Sequence, residues 1–87
     1  MHRYGIEVAT FIVESRAVEE RDKLAGSIPV GCCVVTSLED DAWVYHVVVG
    51  PLTSQSEAES LGADLTERGV VGMARVVRWT ATESPGR

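Results

Sequence analysis

What this chain lacks narrows its chemistry. Basic residues are in deficit: 8 Lys and Arg stand against 13 Asp and Glu, for a net charge of −5. Phosphate binding leaves a basic footprint, so nucleic acid is not an expected partner. Cysteine is limited to Cys32 and Cys33. Neighbours on a strand point to opposite faces, which disfavours a disulfide between them. No further cysteine completes a metal set, and the two histidines are not spaced to help, so no metal and no cofactor is expected. The pair reads as strand residues packing like small hydrophobes, with a reactive thiol on an uncovered face as the alternative. No stretch approaches the roughly 20 apolar residues that cross a bilayer, so membrane insertion by this segment is not expected. The start, Met1-His2-Arg3-Tyr4-Gly5, runs straight into a strand pattern without the apolar core of a signal peptide. On that reading the protein is intracellular as written, or it is a domain of a longer polypeptide. No Ser-His-Asp set has an evident meeting point, and no carboxylates pair in a recognisable cleft. The glycines fall at turns and caps without a phosphate-cradling pattern. An enzyme is not expected.

What is present is a repeat. Ile6-Glu7-Val8-Ala9-Thr10-Phe11 lines up with Val47-Val48-Val49-Gly50-Pro51-Leu52, and at the same offset Ser15 meets Ser56, Ala17 meets Ala58 and Leu24 meets Leu65. The offset then lengthens by one residue, so Cys32-Cys33-Val34-Val35 falls on Ala74-Arg75-Val76-Val77. Each half reads as strand, helix, strand, spanning about 4–37 and 42–79. With 45% hydrophobic residues there is enough apolar material for one small core. The fold class is α+β, a ferredoxin-like (RNP-like) βαββαβ arrangement with a four-stranded antiparallel sheet and two helices on one face. One domain over 1–79 is expected, followed by a flexible tail over 80–87.

Along the chain, strands are predicted over about 4–11, 30–37, 42–49 and 72–79, with Pro29 opening an edge strand. Helices are predicted over 14–25 and 56–68. The first has a thin apolar stripe of Val13, Ala17, Leu24 and Ala25, a weak start signal, and Gly26 as its stop. The second opens on a capping box, Ser54 with Glu57, presents Ala58, Leu61 and Leu65 to the sheet, and closes at Gly69.

Period-two alternation separates the sheet faces. Ile6, Val8, Val47 and Val49 are assigned to the helix-covered core, and Trp43 and Tyr45 go with them. The open face then carries Glu7, Ala9, Val44, His46 and Val48, joined by Cys33, Val35, Arg75, Val77 and Trp79. This face is more apolar than a solvated sheet should be, a sign of contact. The acidic residues segregate to the helices, leaving His46 and Arg75 against Glu7 on the sheet.

The stretch Tyr45-His46-Val47-Val48-Val49-Gly50-Pro51-Leu52-Thr53-Ser54, then Glu57-Ala58-Glu59, Leu61, Leu65, Gly69 and Ala74-Arg75-Val76-Val77, resembles the sporulation-related repeat (SPOR) domain. That family reads as aromatic-Arg-Val-x-Val-Gly-Pro-Phe, then a Ser-x-x-Glu-Ala-Glu helix ending in Gly. Ile6-Glu7-Val8-Ala9-Thr10-Phe11 is similar to the family's Val-Gln-Val-Gly-Ser-Phe, and the likeness covers about residues 4–79. The resemblance implies a non-catalytic bacterial module of the periplasm or cell envelope. Such a module binds septal peptidoglycan, preferring glycan strands stripped of stem peptides, across the uncovered sheet face. The resemblance carries its binding positions onto Glu7, Ala9, Thr10, His46 and Val48, and the open face adds Arg75 and Trp79 to this glycan- or partner-binding set. This chain differs from the family at Glu7 (Gln in the family), Ala9 (Gly), Thr10 (Ser), His46 and Val48 (Arg) and Leu52 (Phe).

Each candidate has two readings. Glu7 accepts hydrogen bonds from sugar hydroxyls or is a solvated carboxylate. His46 forms a pH-sensitive contact with Glu7 across adjacent strands or is a tolerated surface imidazole. Trp79 is a plate for a pyranose ring or a partner side chain, or a cap on the sheet edge. Arg75 touches ligand or is a surface charge, and Thr10 serves the turn into the first helix. Glycan binding is the leading function. A protein-interaction or homodimerisation module on the same Val-rich face is the alternative, which the differences at Glu7, His46 and Val48 favour. A ligand-sensing regulatory domain on the same scaffold is a third class.

Overall fold

The computed structural model describes residues 3–28 and 30–79; Pro29 and the expected tail over 80–87 lie outside them. Strand β1 (Tyr4–Phe11) leads into helix α1 (Glu14–Ala25), then β2 (Cys32–Glu39) and β3 (Ala42–Leu52). Helix α2 (Gln55–Glu67) and the short β4 (Arg75–Arg78) complete the second half. All pairings are antiparallel and the strand order is β2-β3-β1-β4, the βαββαβ topology expected from the repeat.

Both helices lie on one side of the sheet. Ile6, Val47 and Val49 from the sheet, Ala17 and Leu24 from α1, and Ala58 and Leu65 from α2 form one closed core. Burying a leucine such as Leu65 contributes about 1.5–3 kcal/mol of transfer free energy. The α1 stripe is narrower than predicted, because only Ala17 and Leu24 are buried, and Val13 caps the helix without a side-chain bond. Helix α2 opens as expected on Ser54, whose Oγ accepts from the Glu57 N–H at 3.1 Å. The reciprocal half of the capping box closes one residue earlier: Glu57 Oε1 accepts from the N–H and hydroxyl of Thr53. The backbone turns at Gly69, where φ is 75°.

Three departures from strict alternation matter. Opposite Val47, β1 carries an extra residue: Glu7 pairs with Val48 but Ala9 pairs with Val47, so Val8 and Ala9 together face one partner. Such a bulge turns both side chains to the same side. Ala9, expected on the open face, therefore packs against the helix-covered core. Thr10 pairs with His46 and lands on the open face, within the strand and before the turn into α1. The third departure is Trp43. It has the core parity of Tyr45, yet it is 56% exposed because the β2–β3 hairpin outruns the helices. Strand β2 begins later than predicted and β4 is shorter, while β3 continues through Gly50 and Pro51.

The β2–β3 turn is Asp40-Asp41, with φ of 51° and 64°. Two consecutive left-handed residues define a tight turn whose twist suits a two-residue hairpin.

Candidate functional site

The uncovered face holds a shallow groove of about 280 Å³ lined by Glu7, Val35, Ser37, His46, Val48 and Trp79, with Glu39, Val77 and Arg78 at its margins. It spans all four strands. Pairing explains the assembly: β1 lies between β3 and β4, so Glu7 faces Val48 on one side and Arg75 on the other. On β2, Cys33, Val35 and Ser37 sit opposite Val48, His46 and Val44.

Glu7 is the electrostatic centre. It is only 6% exposed, and both carboxylate oxygens are engaged. His46 Nδ1 lies 2.9 Å from Oε2, and Arg75 donates to Oε1 at 2.6 Å. Burial by itself pushes the Glu7 carboxyl up, but the hydrogen bonds and charges of His46 and Arg75 outweigh it and hold the group below the usual carboxylate range. Glu7 is thus not a solvated carboxylate but the anchor of a bonded network.

The network continues through the other imidazole nitrogen. His46 Nε2 lies 2.8 Å from Ser37 Oγ and 3.5 Å from Glu39, and the Ser37 hydroxyl donates to Glu39 at 2.8 Å. Charged, the imidazole donates at both nitrogens, to Glu7 and to Ser37. Neutral, with Nδ1–H toward Glu7, it can only accept at Nε2. Ser37, His46 and Glu7 stand in the order of a hydrolytic triad. However, Ser37 lies mid-strand with its proton directed at Glu39, so the bonds fix the imidazole and do not activate a nucleophile. Ser37 and Glu39 were absent from the sequence-derived set. Extending the alternation Cys33, Val35 by one step would have found Ser37.

Trp79 supplies the apolar plate. The Trp79 backbone N–H donates to the Arg3 carbonyl at 2.9 Å, tying the end of β4 to the start of β1. The indole lies against two glycines. A Cβ built on Gly5 would stand 2.8 Å from Trp79 Cε3 and 2.7 Å from Val48 Cγ1, and one on Gly50 would stand 3.0 Å from Trp79 Cζ3. Gly50 also has a φ of 149°, which L side chains rarely adopt. Val48 is consequently buried, at 5% exposure, by its neighbours on the open face and not by a helix.

Of the seven predicted site residues, the structure brings Glu7, His46, Val48 and Trp79 into the groove and holds Arg75 beside it through Glu7. Thr10 lies on the same face in a separate depression with Phe11, Ile12 and Val44. Ala9 is turned away. Arg75 and Arg78 are exposed at the groove's β4 side, with donors available to solvent. The thiols are not poised for chemistry: burial, and then the neighbouring Cys33, push Cys32 up to about 11, and burial raises Cys33. Among the described residues no cluster of His, Cys, Asp and Glu could hold a metal ion, and no helix is long and apolar enough to cross a membrane.

No protein-family model matches the sequence, and no curated protein matches it. Two solved structures do match by fold. The SPOR domain of RlpA from Pseudomonas aeruginosa superposes with a TM-score of 0.74 at 17% identity, covering 87% of this chain and 99% of that one. The peptidoglycan binding domain of the B. subtilis cell wall lytic enzyme CwlC superposes with a TM-score of 0.63 at 21% identity, covering 92% of each. At these identities the likeness is one of fold, and this chain has the fold of a SPOR domain.

Proposed function

We propose that this chain is a non-catalytic binding module of the bacterial cell envelope that takes denuded peptidoglycan glycan strands across its open sheet face. The observation that carries the reading is the Trp79 indole, packed against Gly5 and Gly50 and lining a largely apolar groove. A flat aromatic plate suits the apolar face of a pyranose ring, and Arg75 and Arg78 beside it offer donors to hydroxyl and carboxyl oxygens. The fold shared with a domain described as peptidoglycan binding supports the same ligand class. Binding is passive, since the groove is preformed and its polar groups are already positioned by one another.

Retention on purified sacculi tests the proposal. The domain is expected to sediment with sacculi, more so after amidase treatment, and Trp79→Ala with an unchanged far-ultraviolet spectrum is expected to lose about tenfold in affinity. Equal failure of the parent chain and the variant to sediment would reject glycan binding. One observation favours a protein partner on the same face: both oxygens of Glu7 are already bonded, which leaves Val35, Val77 and Trp79 as a mainly apolar contact. That reading predicts no retention on sacculi of either type.

A further inference from the structure

The sheet has two edges, and they are built differently. Strand β4 is four residues long with Arg75 and Arg78 at its ends, which blunts it against further pairing. Strand β2 runs eight residues, and from Cys32 to Leu38 it contains no charge, no proline and no bulge against β3. The Gly50 N–H donates to the Gly31 carbonyl at 2.9 Å, so the odd-numbered residues of β2 spend their main-chain groups on β3. By alternation, Cys32, Val34, Thr36 and Leu38 turn theirs outward. An uncharged edge of this length is a template for another strand.

The same end of the molecule carries exposed apolar side chains. Leu38 is 58% exposed and Trp43 is its pairing partner on β3. Both have the parity of the helix-covered face but project beyond α1.

We propose that β2 is a self-pairing edge, through which two copies of this chain join antiparallel about a two-fold axis at Val35 into one continuous eight-stranded sheet. In that register Cys32 faces Leu38 of the second copy and Val34 faces Thr36, and all four residues present outward main-chain groups. Leu38 and Trp43, which overhang their own helix, come to lie along the flank of α1 in the second copy. An isologous contact of this kind closes after two subunits. The inference does not depend on glycan binding, because the groove lies on the opposite face from these side chains.

Light scattering across a concentration series is the first measurement, with a dimer mass expected. Leu38→Lys is expected to weaken the dimer by about tenfold or more. A register test uses Val35→Cys in a Cys32→Ser, Cys33→Ser background. Val35 and its symmetry mate form a non-hydrogen-bonded pair with Cα atoms about 4.5 Å apart, within disulfide range, so mild oxidation is expected to give a covalent dimer. A monomer up to about 1 mM overturns the proposal, as does any stoichiometry other than two. So does a dimer that ignores Leu38→Lys or fails to cross-link through position 35.

Discussion

Glu7 and His46 lie 2.9 Å apart across β1 and β3, on the face of the sheet that no helix covers. The contact is long-range in sequence and short in space, and with Arg75 on the far side it ties β3, β1 and β4 together. A carboxylate this enclosed is tolerable only because both oxygens have partners. Glu7→Ala leaves the Arg75 guanidinium and the His46 imidazole without their shared partner and is expected to cost about 2 kcal/mol in urea unfolding. Glu7→Gln, which keeps the shape, should cost less. Equal stability of all three chains would show the network to be inert.

The lowered pKa of Glu7 fixes the direction of a pH effect. A carboxyl depressed in the folded state contributes stability that is complete above the ordinary glutamate value of about 4.3 and is lost as pH falls through the folded value. The parent chain is therefore expected to lose more thermal stability than Glu7→Gln on acidification below about pH 4.3. Parallel melting curves for the two across that range would contradict the assignment.

Asp40 and Asp41 both hold left-handed backbone next to Glu39, so the hairpin turn combines strain with like charge. Replacing Asp41 with glycine removes both burdens at one position. We expect a gain of about 0.5–1 kcal/mol, read as a rise in melting temperature of about 2–8 °C. A drop would mean that the aspartate side chain has a compensating role.

Gly5→Ala tests the seat of the indole without touching any ligand donor. The added methyl meets Val48 and Trp79 below 3 Å, so the ring must lift. The expected result, in a Trp43→Phe background, is a red shift of tryptophan emission with about 1–3 kcal/mol of destabilisation. An unchanged spectrum would show that the ring is not held by this contact.

Cys32 and Cys33 should react slowly with a thiol reagent near pH 7.5 and quickly once the chain is unfolded, because burial keeps both in the thiol form. Rapid labelling of the folded protein would indicate an opened β2 edge.

The repeat made the element order and the shared helix side readable, because two apolar patterns of the same phase must bury against the same layer. Alternation then placed Glu7, His46, Val48 and Val35 correctly. It failed at Ala9 and Thr10, since the bulge at Val8 adds one residue without any local mark such as glycine or proline. It failed differently at Trp43, where parity names the face but not how far the helices reach along it. Alternation also put Arg75 on the face of Glu7, but the direct bond between them follows from β4 docking beside β1, a fact of topology and not of either segment's pattern. Glu39 escaped because the predicted second strand stops at 37, and Ser37 because the alternation through Cys33 and Val35 is not carried one step further.

The two glycines beneath Trp79 come from opposite halves of the repeat, one near the start of β1 and the other near the end of β3. The duplication therefore has a seam, and a ring from the final strand is pressed into it like a wax seal. Any side chain acquired at either position would pry the seal up, so a residue just past β4 sets a limit on what the first strand can become.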